Sequence, residues 1–160
     1  MAHGRLIAFA ALLPCLVAGA CSKVDPPPGV QRVTISGRTF TLELALDDDA
    51  RFGGLSNRAE IAADGGMLFV FPQPRPLSFV MRQCLVPIDL IFLDAGGRIV
   101  ATHAMQVEPY DTPEAQLTAY PSEWPAQFAI ELRGGTLDAL NLTTGHRIDL
   151  PTEALKRRAR

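Results

Sequence analysis

Gly65-Gly66 opens the continuous apolar run Met67-Leu68-Phe69-Val70-Phe71, and Pro72, Pro74 and Pro76 follow it. A run this short, bounded by glycine and proline, has the length of a buried strand, and the prolines deny the chain a helix. The same punctuation recurs. Val33-Thr34-Ile35 and Phe40 to Leu46 flank Ser36-Gly37-Arg38. In the second of these, Phe40, Leu42, Leu44 and Leu46 alternate with Thr41, Glu43 and Ala45, the period of a half-buried strand in a hairpin. Leu77 to Met81 reads as a further strand, and Ile88 to Leu93 and Arg98 to His103 flank the turn Asp94-Ala95-Gly96-Gly97. Phe128 to Leu132 precedes Gly134-Gly135, which introduces a helical turn carrying Leu137 and Leu140. Thr143-Thr144-Gly145-His146 leads into a last strand, Arg147 to Leu150. Asp47-Asp48-Asp49 reads as the start of a short helix, where carboxylates satisfy free N–H groups, and Gly53-Gly54 ends it. The pattern predicts a mainly β, small compact barrel-like domain with one or two short helices over residues 32–152.

Ahead of this domain the chain has a different character. Arg5 precedes an almost wholly apolar stretch, Leu6 to Val17, which ends in Ala18-Gly19-Ala20-Cys21. That is a secretory signal over residues 1–20, too short and too interrupted at Pro14 for a retained membrane span. Cys21 is the first residue after the cleavage point, so the segment resembles the lipobox of bacterial lipoproteins, in which this thiol is acylated. Cleavage without acylation would instead leave a soluble periplasmic or secreted protein. Residues 21–31, with Pro26-Pro27-Pro28-Gly29, read as a tether from the lipid bilayer. The expected address is the cell envelope, facing the periplasm, with the outer membrane favoured by Ser22 after the cysteine. Residues 153–160 hold the basic cluster Lys156-Arg157-Arg158-Ala159-Arg160, expected as a solvated tail or a contact with anionic surfaces.

Lys and Arg number 15 against 17 Asp and Glu, and removal of the signal takes Arg5 away. A mildly acidic domain without a basic stripe gives no support to nucleic-acid binding. Of three cysteines, Cys15 leaves with the signal and Cys21 is the acylation site, so Cys84 has no disulfide partner and reads as a small buried residue. No metal-ligand spacing, nucleophile elbow or phosphate loop is present, and no cofactor is expected.

Asp89 interrupts Ile88-Leu90-Ile91-Phe92-Leu93, and Glu131 interrupts Ile130 and Leu132. A carboxylate in an apolar strand is costly unless it is paired or faces water. Two readings follow. Arg58 and Arg82 could bridge these carboxylates structurally. Alternatively, Asp89 and Glu131 could converge as an acid/base or metal pair, joined by His103 or Cys84, in a hydrolase or metal-dependent enzyme. Tyr110, Tyr120 and Trp124 lie in the long Pro-rich segment from Gln106 to Pro125, suited to contact with a partner or saccharide.

Several segments in series, Gly54-Leu55-Ser56-Asn57-Arg58, Gly66 to Phe71, Phe79-Val80-Met81, Pro87 to Asp94 and Ile130 to Gly135, resemble the family called domain of unknown function 192, or UPF0127. The resemblance runs from about Val33 to Leu150. It implies a compact β-rich barrel-like domain, often exported or membrane-tethered, with no established activity. Two positions depart from the family pattern: Val80 stands where Trp is common, and Ser56 where Met is. The leading expectation is a non-catalytic module for a ligand, saccharide or envelope protein. Its expected binding face comprises Arg58, Phe79, Met81, Asp89, Glu131, Tyr120 and Trp124.

Overall fold

The structure, a computed structural model, describes Met1 and residues 29–160. The expected signal, Cys21 and most of the tether lie outside the described residues. Six strands form one sheet in the order β1-β2-β3-β8-β5-β6. They are β1 (Val30–Ile35), β2 (Arg38–Ala45), β3 (Gly65–Arg75), β5 (Ile88–Leu93), β6 (Ile99–Met105) and β8 (Ala126–Arg133). Only the β2–β3 pair is parallel. Two short strands, β4 (Ser78–Phe79) and β7 (Tyr120–Pro121), pair separately.

The β1–β2 hairpin is as expected. Ser36 and Gly37 both take positive φ at its turn, the geometry that matches strand twist in a tight hairpin. The hairpin at residues 94–97 is also present; Asp94 Oδ1 accepts from the N–H groups of Gly96 and Arg98. Helix α1 (Asp48–Gly53) starts where the aspartates place it, with Asp47 Oδ1 accepting from the Ala50 N–H at 2.9 Å. Helices α2 (Thr136–Leu140) and α3 (Thr152–Lys156) complete three short helices.

The sheet is open, not closed into a barrel: β1 and β6 are its two edges. The reason lies in the central strands. The central strands β3, β5 and β8 are buried on both faces, so the sheet is covered by layers on each side and is not curled round a single interior. Leu68, Val70, Ile91, Leu93, Phe128 and Ile130 belong to one core, closed by Leu140, Ile148, Leu150 and Leu155. Met67, Phe69, Phe71, Leu90, Phe92 and Ala129 belong to a second core, closed by Leu55, Ile61, Leu77, Met81 and Cys84. Continuous apolar runs, not alternation, are the sequence signature of such doubly covered strands.

Other expectations are corrected. β3 continues through Pro72 and Pro74 to Arg75, with a register shift against β8 after Val70 that removes the prolines from regular pairing. The segment from Leu77 to Met81 forms only a two-residue strand. Arg147 to Leu150 makes an isolated bridge to Arg98, not a strand. The basic segment is not a loose tail: Leu155 is buried in the first core, and the Arg160 N–H donates to Leu46 O at 2.8 Å. Among the described residues, no helix is long and apolar enough to cross a membrane.

Candidate functional site

The two buried carboxylates lie on opposite faces of the sheet. In the β5–β8 register Asp89 is opposite Leu132 and Glu131 is opposite Leu90. Since facing pairs share a side, Asp89 points with Leu132 into the first core and Glu131 with Leu90 into the second. The expected convergence of Asp89 and Glu131 is therefore overturned. Asp89, 1% exposed, accepts from the Leu137 N–H at 2.6 Å. It satisfies an open donor in the first turn of α2, whose own N-terminal residue is Gly135. Arg58 and Arg82 bridge neither carboxylate. Arg58 grips Glu43 with two bonds of 2.5 and 2.8 Å, and Arg82 pairs with Glu114 at 2.9 Å.

Glu131 is 5% exposed, and its Oε2 has no hydrogen-bond partner. Burial pushes its carboxyl up to about 8, against the opposing pull of the Leu55 N–H and the Arg58 charge. Gly54 passes directly over it. A Cβ there would lie 3.6 Å from Glu131 Oε2 and 3.6 Å from the Phe69 ring, at a backbone φ of +50° that favours glycine. Cys84 faces the same region, and burial raises its thiol to about 11, so it is a neutral packed group rather than a nucleophile. His103 aligns with Leu90, which stands between it and Glu131 across the strands. Its Nε2 is taken by Pro121 O at 2.7 Å. The constellation of Asp89, Glu131, His103 and Cys84 does not assemble.

An open cleft of about 500 Å³ forms instead between α1, the far half of β3 and residues 78–82. Its floor is Phe71, whose ring centroid lies 5.3 Å from the guanidinium carbons of both Arg51 and Arg75. Arg51 is fixed by Val70 O at 2.7 Å and Asp48 at 2.8 Å, whereas Arg75 has no ion pair among the described residues. Phe79 forms part of the wall. It is held edge-on by Phe69 at 5.0 Å and Phe92 at 5.2 Å, and pairs with Tyr120 in the β4–β7 ladder.

Phe52 of α1 is 65% exposed at the mouth, with the Arg82 guanidinium carbon 3.5 Å from its ring centroid. Arg82 also donates to Phe52 O and pairs with Glu114, so one side chain ties α1, the 78–82 segment and the 3-10 turn Glu114–Gln116 together. On the other side of Phe52 and Arg82 lies a second cavity of about 310 Å³, lined by Gly54, Ser56, Asn57, Arg58 and Gln83. Ser56 Oγ donates to Arg82 O at 2.7 Å, and Tyr110 Oη donates to Asn57 Oδ1 at 2.7 Å.

Of the expected face, Phe79 lines the cleft and Arg58 the second cavity. Met81 is buried, and Tyr120 stands beside Phe79 as its partner in the β4–β7 ladder. Trp124, 68% exposed, lines neither cavity. Arg51, Phe52, Phe71 and Arg75 escaped the sequence reading. The one signal for them was a large aromatic, Phe52, next to Gly53-Gly54, where an aromatic has no core face to join.

This architecture is an open, mostly antiparallel sheet with both faces covered and a cleft at one end. The chain belongs to the DUF192 family (Uncharacterized ACR), whose model matches residues 31–150. It is similar to a protein from Sinorhizobium meliloti 1021 described as a candidate transcription regulator, with 34% identity and a TM-score of 0.63, covering 75% of this chain and 90% of that one. It is also similar to a protein of unknown function from Novosphingobium aromaticivorans DSM 12444, with 29% identity and a TM-score of 0.66, covering 82% and 94%. No curated protein matches the chain. The two positions expected to depart from the family pattern both fall in the site: Val80 lines the cleft and Ser56 the second cavity.

Proposed function

We propose that this chain is a membrane-held binding module of the cell envelope, and that its ligand enters the cleft between α1 and residues 78–82. The ligand class that fits is a small molecule or chain end with a flat apolar part and an anionic group. The observation that carries this is the Phe71 floor flanked by Arg51 and Arg75, with Phe52 exposed at the mouth. A solvent-exposed aromatic over an arginine-lined cleft gives stacking area and fork-shaped donors in one place. Of the three cleft acids, Asp48 and Glu114 already hold Arg51 and Arg82 while Asp49 is unpaired among the described residues, and Arg75 is the guanidinium open to an incoming anion. The address rests on the lipobox-like Ala18-Gly19-Ala20-Cys21 and the Pro-rich stretch after it. With 15 basic against 17 acidic residues, a transcription-regulator role by analogy with the Sinorhizobium protein lacks the positive field that DNA binding needs.

Two measurements test the reading. The first is nuclear magnetic resonance on the isotope-labelled protein with aromatic carboxylates and their neutral amides. Carboxylates are expected to shift Phe52, Arg75, Phe79 and Val80 selectively, with binding weakened about tenfold or more in Arg75→Gln. Equal shifts from amides, or shifts confined to other surfaces, would sink the cleft assignment. The second compares intact mass and fractionation of wild type and Cys21→Ser. Acyl mass and membrane retention of the wild type alone are expected; unmodified soluble protein in both would remove the anchor.

A further inference from the structure

The strand register gathers one end of the sheet into a distinct surface. The Leu44 N–H donates to Gly29 O at 2.9 Å, so the chain enters the domain beside the end of β2. The Arg160 N–H donates to Leu46 O at 2.8 Å, so the basic turn after α3 ends at the same place. Because β2 and β3 are parallel, the end of β3 lies there too, bringing Arg75. β8 runs antiparallel to β3, with Arg75 opposite Ala126, so the exposed Trp124 precedes the same end. Arg75 and Arg160 line one shallow pocket.

Arg157, Arg158 and Arg160 are exposed, and none forms an ion pair among the described residues. Around these chain ends Asp47 caps α1, Asp48 is held by Arg51 and Glu153 by Lys156. Asp47 keeps its charge while it caps, and Asp49, Glu123 and Asp149 are unpaired among the described residues, so the basic excess is confined to the turn itself, where Arg157, Arg158 and Arg160 fall within four residues with no acid among them. In a chain that is acidic overall, this turn is a local run of positive charge. The stretch from Cys21 to Gly29 reaches at most about 28 Å fully extended, so an anchor at Cys21 keeps this end close to the bilayer.

We infer that the basic turn at residues 157–160, with Trp124 at the same end of the sheet, docks on anionic lipid headgroups and orients the tethered domain on the membrane. The inference rests on the anchored reading of Cys21. Arginines near an anionic surface supply electrostatic attraction, and an exposed tryptophan suits the headgroup level. A docked turn orients the whole domain, because Leu155 fixes α3 to the first core.

The test uses the full chain purified from bacterial membranes, with a fluorophore on Ala154→Cys, which is exposed on α3 while Cys84 is buried. The protein is reconstituted into phosphatidylcholine vesicles, with or without about one third phosphatidylglycerol, carrying a headgroup quencher. Quenching is expected only with phosphatidylglycerol. It is expected to fall in high salt and to vanish when Arg157, Arg158 and Arg160 are changed to Glu, with vesicle retention unchanged. Each lost arginine weakens docking about fivefold. Equal quenching on neutral vesicles, or none on either with the protein retained, overturns the inference. A label unquenched on anionic vesicles but shifted by soluble polyphosphate gives the turn to a polymeric anion and overturns it too. If the protein proves unacylated, the anchor reading falls separately. Salt-sensitive sedimentation of that protein with phosphatidylglycerol vesicles then upholds the docking surface, and no sedimentation overturns it.

Discussion

Asp89 and Glu131 look alike in sequence, each a carboxylate inside an apolar strand, yet the pleat sends them to opposite cores. Asp89 has a donor waiting in α2, and its carboxylate completes the start of that helix. Asp89→Ala is expected to destabilise the fold by about 1–3 kcal/mol, because it leaves the part-buried Leu137 N–H without its acceptor and a cavity in place of the carboxylate. Chemical denaturation checks this, and the cleft's ligand affinity is expected to stay unchanged. Glu131 has no such partner on Oε2, and its carboxyl is held up to about 8. The sign follows from which state loses the proton. Below about 4.5 both folded and unfolded chains hold it; between there and about 8 only the unfolded chain releases it. This group therefore contributes most below the lower value and its contribution is lost as pH rises towards 8, by at most about 5 kcal/mol. Glu43 runs the other way: Arg58 holds its carboxyl below the usual range, so its contribution is lost only on acidification. Glu131→Gln is expected to flatten the fall between pH 5 and 8 in urea midpoints. Parallel curves for the two proteins would contradict a protonated Glu131.

At the scale of elements, the cleft depends on three segments held together by Arg82. Arg82→Gln removes the stack on Phe52 and the Glu114 pair at once. Hydrogen exchange in α1 and around residues 114–117 is expected to speed up about tenfold or more, while β3 and β8 keep their protection. Val80→Trp places a large ring in the cleft. If the ligand stacks there, affinity is expected to change by about tenfold in either direction, with stability moving less than about 1 kcal/mol at this half-buried position; titration and thermal denaturation separate the two. The strands around these segments were legible in the sequence because their signals are local. Alternation from Phe40 to Leu46, the turn at residues 94–97 and the aspartates that open α1 each carry their own physical instruction. The cleft was not legible, because it joins side chains far apart in sequence, Arg51 and Phe52 with Phe71, Arg75 and Arg82. Arg82 was visible as a charge, but its partner Glu114 lies in a polar segment without periodicity. The strand from Arg147 to Leu150 failed for a related reason: its apolar residues Ile148 and Leu150 serve as a cover over the first core, not as a ladder.

At the scale of the molecule, the shared central strands decide how the two cores behave. Leu68 and Val70 of β3 face one core while Met67, Phe69 and Phe71 face the other, and β5 and β8 divide in the same way. Neither core can come apart without exposing one face of the same three strands, so the two are coupled through shared backbone. Gly66 tightens that coupling, since a Cβ there would collide with the Glu131 carbonyl oxygen where β3 and β8 approach. Leu155 tests the coupling from a distance, because it packs in the first core, on the far face from Glu131. Leu155→Ala is expected to cost about 2–5 kcal/mol by leaving a cavity under α3. If the sheet links the cores, Trp124 fluorescence and far-ultraviolet circular dichroism will report a single transition moved by the same amount. A split into two transitions, with the Cys84 side keeping its midpoint, would mean that the cover of residues 134–160 melts by itself. The cleft would then be a property of half the molecule. A single shifted transition makes it a property of the whole sheet, so the 157–160 turn and the cleft lie on one rigid body.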